Sequence, residues 1–196
     1  MRAQPHTRLA LLALPLLLAA CGTTASTAPK SAGATAAVRA TTGTRATMAD
    51  VSGGRPPPTA SMVCGPEIQG SLQTLLALPG RPTGTSTWVD GLFTCTYALP
   101  QGQLVLSVQQ SADPAAAKAH FAALRSHTPT STALTGLSSL GLPAFQSASG
   151  IVSFVKDNLT LEVDATGLTA TVGPQRTPRG DFAYTLATDV LACWQE

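Results

Sequence analysis

The chain is poor in charged, aromatic and histidine residues, and these shortages limit what it can bind. Only 11% of its 196 residues are charged and 5% are aromatic. Lys and Arg number 12 against 10 Asp and Glu. Two of the basic residues, Arg2 and Arg8, lie within the first 20 positions, so residues 21–196 are formally neutral. A neutral domain has no surplus of positive charge for a phosphate backbone, and we therefore expect no nucleic-acid binding.

Residues that carry catalysis or bind metals are equally sparse. The sequence holds only three histidines and four cysteines. His120 and His127 share one predicted helix and have no third ligand beside them, which makes a poor zinc site. We find no paired carboxylates, no base next to a cysteine and no glycine-rich phosphate loop. We therefore predict no catalytic residues, no metal and no cofactor, and we expect a protein that is not an enzyme.

Long hydrophobic runs are also missing, apart from one at the start of the chain. Residues 9–20 are apolar and follow Arg2 and Arg8, which is typical of a signal peptide. The run is too short to cross a bilayer as a helix. Its ending, Leu-Ala-Ala-Cys, resembles the bacterial lipobox, which implies lipid transfer to the sulfur of Cys21 and cleavage before it. The alternative is an ordinary signal peptide with an incidental cysteine.

We divide the chain into a signal peptide (1–20), a lipidated tether (21–60) and a folded domain (61–196). The tether is rich in Thr, Ala, Ser, Gly and Pro and has no aromatic residue, so it cannot bury a core. As a flexible chain it spans roughly 35 Å. Two or three acyl chains, such as palmitate, hold a protein stably on a membrane. We expect a location at the extracytoplasmic face of the cell membrane; a partner-binding or O-glycosylated tether is an alternative to a plain spacer.

Residues 61–196 have the length of one domain, and their hydrophobic periodicity alternates between helix and strand. Predicted helices begin at Pro66, at Pro114 and near Thr177 or Asp181. Predicted strands lie near residues 93–99, 104–108, 144–147, 151–156 and 159–164, with a further candidate at 168–172. The order α-β-β-α-β-β-(β)-α predicts an α+β domain with an antiparallel sheet of about five to six strands, flanked by helices that cover one face.

Two motifs resemble a known family. The stretches "VCGPEIQGSLQTLL" and "FTCTY", together with the lipobox and the tether, are similar to the small secreted lipoproteins of actinobacteria, of mycobacterial type, that carry a DUF3558-like domain. The likeness covers roughly Cys64 to Val108 and the anchor, and Cys193 is outside the family's pattern. It implies an extracytoplasmic protein whose antiparallel sheet and flanking helices are similar to the Mog1/PsbP arrangement. It supplies no mechanism.

Export permits disulfides, and lipidation of Cys21 leaves three other cysteines. The family likeness favours a bond between Cys64 and Cys95, which would also tie the first helix to the sheet. A bond between Cys64 and Cys193 is the alternative. Cys193 otherwise lies on the apolar stripe of the last helix, where we expect a buried thiol.

These features predict a lipid-anchored cell-envelope protein that acts as a non-catalytic binding or interaction domain. Its partners would be the membrane, through Cys21, and another envelope protein. The alternative is a carrier or sensor of a small or apolar ligand. A carrier needs a continuous apolar void of several hundred Å³, whereas an interaction domain needs a closed core and an exposed patch.

Overall fold

The computed structural model describes residues 54–138 and 140–194. The predicted signal peptide, Cys21 and residues 22–53 of the predicted tether lie outside the described residues. No helix in the described part of the chain has both the length and the hydropathy needed to cross a membrane.

The described part begins with a short packed segment. Helix α1 (Pro58–Ser61) leads into a 3₁₀ turn, Met62–Cys64. Ala60 is completely buried, and the indole nitrogen of Trp194 donates a 2.9 Å hydrogen bond to the carbonyl oxygen of Thr59. The predicted boundary between residues 60 and 61 therefore falls inside a segment that belongs to the fold.

Seven antiparallel strands form the main sheet, in the order β1-β2-β3-β7-β6-β5-β4. The strands are β1 (Gly84–Val89), β2 (Leu92–Leu99), β3 (Gly102–Gln110), β4 (Ser131–Ala133), β5 (Ala144–Ser147), β6 (Ile151–Lys156) and β7 (Leu159–Asp164). The predicted fold class, α+β with an antiparallel sheet and flanking helices, is confirmed. The sheet has one or two strands more than predicted, and the additional strands, β1 and β4, are its two edges.

The first additional strand, β1, follows from a tight turn between β1 and β2 that was not predicted. Asp90 and Gly91 have φ angles of 50° and 76°, and Val89 pairs directly with Leu92. Positive φ at both central residues is the geometry of a two-residue type I′ hairpin, for which Asp-Gly is a preferred sequence. At the other edge, Ser131–Ala133 pairs with β5. Three residues are too few for an alternating pattern to show in the sequence.

The candidate strand at 168–172 is only partly a strand, and it lies outside the main sheet. Thr171–Val172 (β8) pairs with Thr177–Pro178 (β9) in a separate two-stranded sheet. The residues before it lie beside the turn between β2 and β3, where Leu168 forms an isolated antiparallel bridge with Gly102 and the amide of Thr169 donates to the carbonyl oxygen of Gln101. This pairing does not continue as a ladder along the main sheet.

The three predicted helices begin and end close to the predicted positions. They are α2 (Pro66–Leu76), α3 (Pro114–His127) and α5 (Arg179–Cys193). A short helix, α4 (Thr135–Ser138), was not predicted. Asp113 caps α3, because its side chain accepts a 2.8 Å hydrogen bond from the amide of Ala116. The end of α2 follows from the left-handed conformation of Ala77, which has a φ of 50°.

Helices pack on both faces of the sheet, whereas we expected them on one. Helices α2 and α5 contact each other, and α5 packs on β6 and β7 over the main core, which includes Tyr97, Phe154 and Phe182. Helix α3 packs on the opposite side of the same two strands, over a smaller cluster built around Phe121 and Phe145. Among the described elements, helices therefore cover both faces of the sheet at β6 and β7 but not at β1.

Candidate binding site beside helix α3

A disulfide joins Cys64, at the end of the 3₁₀ turn, to Cys95 in β2. Their Cα atoms are 5.6 Å apart, and the loop between them spans 31 residues. This is the pair that the family likeness favours, and the bond fixes the N-terminal segment to the sheet. The hydroxyl of Tyr97 strengthens the same junction by donating a buried 2.9 Å hydrogen bond to the carbonyl oxygen of Val63.

The disulfide occupies space that Gly84 leaves open. A Cβ atom on Gly84 would lie 2.5 Å from Sγ of Cys95 and 2.8 Å from Sγ of Cys64. Both separations are well below van der Waals contact, so a side chain at this position of β1 would collide with the disulfide. Gly84 thus lets the edge strand pass close to the crosslink.

Cys193 and the histidines do not form a site. Cys193 is half-buried on α5 and outside the disulfide, whereas we expected a buried thiol. His120 and His127 are both exposed on α3, as predicted. Within the described residues, no three side chains of His, Cys, Asp or Glu come together in a group that could hold a metal ion.

Within the described residues, no helix packs across one part of the sheet surface. We call it the open face; it consists of the side chains of β1–β3 that point away from the main core. They are Thr85, Thr87, Val89, Leu92, Thr94, Thr96, Ala98, Gln103, Val105, Ser107 and Gln109. All are uncharged and none is fully buried, and Val89 is 63% exposed. The open face is therefore a neutral, mixed polar and aliphatic surface.

Strand β1 is the edge of the sheet beside the open face. It contains no charged residue and no proline, and all six of its residues pair in regular register with β2. Natural edge strands are usually protected by lysine, proline, bulges or a covering segment, because a bare edge pairs readily with another strand. β1 has none of the first three protections, and only its Trp88 is directed into the main core.

A small cavity lies where the open face meets α3. Its floor consists of side chains that are neighbours across three strands: Leu92 pairs with Gln109, which pairs with Thr160, and Ser107 pairs with Glu162. Its wall consists of His120 and Leu124, which lie one helical turn apart on α3. The volume is about 150 Å³. Carboxylate, amide, hydroxyl and aliphatic groups thus meet in one partly enclosed space.

Glu162 is the only carboxylate among the residues that line this cavity. Burial raises its pKa above the ordinary value for glutamate, and the nearby charge of Asp164 raises it further. Within the described residues, the carboxylate of Glu162 has neither an ion-pair partner nor a hydrogen-bond donor. Burial of an unpaired carboxylate opposes its ionisation, and acids whose pKa is shifted by burial and by a neighbouring charge are candidates for functional sites.

A second, larger depression is a groove at the end of α3. It is lined by residues 128–131 and by the last two turns of the helix, including Phe121 and Arg125. The groove is broad and open to solvent, with a volume of about 630 Å³. Both cavities therefore lie at the surface, beside α3, and not between the sheet and the helices of the main core.

The sequence patterns do not predict this cavity. The alternation in β7 correctly places Thr160, Glu162 and Asp164 away from the main core. It does not reveal that α3 covers part of the opposite face, or that Ser107 and Glu162 are neighbours. The only signal was a glutamate with polar neighbours at alternate positions, and this is also typical of a solvent-exposed strand face.

No protein-family model matches the sequence, no curated protein matches it, and no solved structure matches it. The resemblance to actinobacterial lipoproteins and the likeness to the Mog1/PsbP arrangement therefore stay predictions from the sequence.

Proposed function

We propose that this protein is a lipid-anchored, extracytoplasmic interaction domain without catalytic activity, and that an extended segment of an envelope protein adds to its sheet at β1. The observation that carries the proposal is the edge strand β1, a regular six-residue strand without charge or proline that pairs, among the described residues, with β2 alone. Strand addition uses the free backbone groups of such an edge for affinity and the alternate side chains for specificity.

The two edges of the sheet differ in a way that favours β1. The opposite edge strand, β4, has three residues and so offers few backbone groups for pairing. The partner segment on β1 should be uncharged and mixed polar and aliphatic, because it would extend the open face, whose side chains are all uncharged. A charged segment would lose hydration there without gaining an ion pair.

The closed core supports an interaction domain over a carrier. The space between the sheet and helices α2 and α5 is filled by side chains such as Leu72, Leu106 and Leu186, which are completely buried. The two surface cavities are too small or too open to enclose an apolar ligand. The Cys64–Cys95 disulfide supports an extracytoplasmic location, since such bonds persist in oxidising compartments.

Photo-crosslinking from β1 tests the proposal. A photoreactive amino acid in place of the exposed Ser86 should crosslink the anchored protein to a defined envelope protein in its host. Adding Thr85→Lys and Thr87→Lys should abolish this crosslink, because lysine on an edge strand opposes pairing. Thr74→Lys, at an exposed position on α2, is the matched control and should leave the crosslink intact.

The identity of the crosslinked peptide decides the mode of binding. Mass spectrometry should map the crosslink to an extended, uncharged segment of the partner. A crosslink that survives the paired lysine variant, or one that maps to a charged segment, contradicts strand addition at β1.

A further inference from the structure

We propose that the cavity between α3 and the open face binds a primary ammonium group on an unbranched alkyl stem, supplied by a lysine side chain or by a free alkylamine. The proposal rests on this cavity and is independent of strand addition at β1. Four features of the cavity support it: the carboxylate of Glu162, the aliphatic walls, the surplus of hydrogen-bond acceptors and the lack of a cation paired with Glu162 among the described residues.

The polar groups of the cavity are mostly acceptors. Gln109 uses its amide nitrogen to donate to the carbonyl oxygens of Asp90 and Gln110, at 3.3 and 2.9 Å, which leaves its own carbonyl oxygen as an acceptor. The hydroxyl of Thr160 donates to the carbonyl oxygen of Ala117 at 3.4 Å and keeps its lone pairs. An ammonium group has three donors and no acceptor, so it complements this set.

The apolar groups determine the rest of the ligand. Leu92 stands on the floor and Leu124 on the wall of the cavity, and both can contact an alkyl stem while the ammonium group meets Glu162. Long basic side chains commonly bury their methylene stems in this way. An anion is excluded, because Glu162 and Asp164 would repel it.

The unpaired carboxylate of Glu162 makes the binding of a cation in this cavity favourable. The groups that face Glu162 are Asp164 on its own strand and His120 on α3, and neither forms an ion pair with it. Burial already weakens its hydration, so a cation that enters the cavity recovers charge stabilisation at a low additional desolvation cost. Hydrogen bonds between charged groups are about twice as strong as neutral ones.

Nuclear magnetic resonance titration of the purified chain with n-butylammonium tests the inference. The methyl signals of Leu92 and Leu124 should shift and saturate. The neutral probe n-butanol, which has the same stem, should bind at least about tenfold more weakly, and Glu162→Gln should weaken n-butylammonium binding by a similar factor. Asp181→Asn, an exposed carboxylate at the start of α5, is the control and should not change binding.

A measurement on the unmodified chain tests the inference even if the Glu162 variant does not fold. Bound n-butylammonium should lower the pKa of the Glu162 carboxyl, because a nearby cation favours the ionised form. The inference is wrong if this pKa does not change, if n-butanol binds equally well, or if Glu162→Gln retains full affinity.

Two further probes identify the source of the ammonium group. Nα-acetyl-lysine N-methylamide, which presents the side chain as it occurs in a polypeptide, should bind as well as n-butylammonium if the natural ligand is a lysine of another protein. If only the free amine binds, the natural ligand is a small alkylamine. Neither result depends on crosslinking from β1, so failure of one proposal does not imply failure of the other.

Discussion

Trp194 and Thr59 are joined by a hydrogen bond across 135 positions of the chain, from the indole nitrogen of one to the carbonyl oxygen of the other. The bond attaches the end of the last helix to the first helix. Trp194 also packs edge to face against Phe154, with ring centroids 5.4 Å apart. The N-terminal segment therefore contributes to the main core and is more than the end of a tether.

Shortening the chain tests this contribution. A chain that starts at Met62 loses α1, the Thr59 acceptor and the buried Ala60, and we expect its free energy of unfolding to fall by about 2 kcal/mol. A chain that starts at Gly54 keeps all three and is the matched control. Urea unfolding of the two chains measures the difference, and equal stability would show that α1 is dispensable.

Gly84→Ala tests the packing of the edge strand against the disulfide. The new methyl group would collide with both sulfur atoms, so we expect a loss of about 1–3 kcal/mol in the free energy of unfolding. Gly80→Ala is the control, because a Cβ atom there meets nothing within 4 Å. Thermal unfolding of both variants against the unchanged protein measures the effect.

Replacing the disulfide separates its own contribution from that of the glycine. Cys64→Ala with Cys95→Ala should cost about 3–4 kcal/mol in the chain-entropy model. In that background Gly84→Ala should be much less harmful, because the sulfur atoms are gone. If Gly84→Ala lowers the free energy of unfolding by the same amount without the disulfide, the glycine is required in β1 for a reason other than the sulfur atoms.

Glu162→Gln should change stability in a pH-dependent manner. The pKa of Glu162 is higher in the folded protein than in the unfolded chain, so its ionisation destabilises the fold. The free energy of unfolding begins to fall as the pH rises through the ordinary pKa of glutamate. The fall is complete above the raised pKa that Glu162 has in the folded protein. The variant should therefore be more stable than the unchanged protein at neutral pH.

In acid, below the ordinary pKa of glutamate, the two proteins should be equally stable with respect to this group, because the carboxyl is protonated in both the folded and the unfolded state. Urea unfolding over a series of pH values provides the test. A stability difference that does not vary with pH would assign the effect to packing and not to the charge of Glu162.

The sequence predicts those elements whose patterns are local. The spacing of Ile68, Leu72 and Leu76 predicts α2, and the alternation from Phe93 to Leu99 predicts the buried face of β2. The hairpin at Asp90-Gly91 was also predictable, because its turn residues are adjacent to alternating apolar positions. The hairpin was not predicted, because β1 is mostly Ser and Thr and does not alternate in hydrophobicity.

The candidate site could not be predicted, because it depends on pairing between distant segments. Ser107 and Glu162 become neighbours only through the pairing of β3 with β7, and His120 joins them only because α3 packs on the face opposite to α2 and α5. Neither the strand order nor the face that a helix covers is encoded in local periodicity. The pairing of Cys64 with Cys95 was predicted partly from the likeness to actinobacterial lipoproteins and partly because the bond would tie the first helix to the sheet.

Mass spectrometry of the N-terminal peptide, on protein extracted from the membrane of a lipoprotein-processing bacterial host, tests the central claim of a lipid-anchored interaction domain most directly. We expect the chain to begin at Cys21 and to carry a diacylglyceryl group on its sulfur, and we expect Cys21→Ala to lose fatty-acid labelling and leave the membrane. Cys193→Ala is the control and should remain acylated and anchored. A membrane-bound chain that retains residues 1–20, or an unmodified Cys21, would contradict the account.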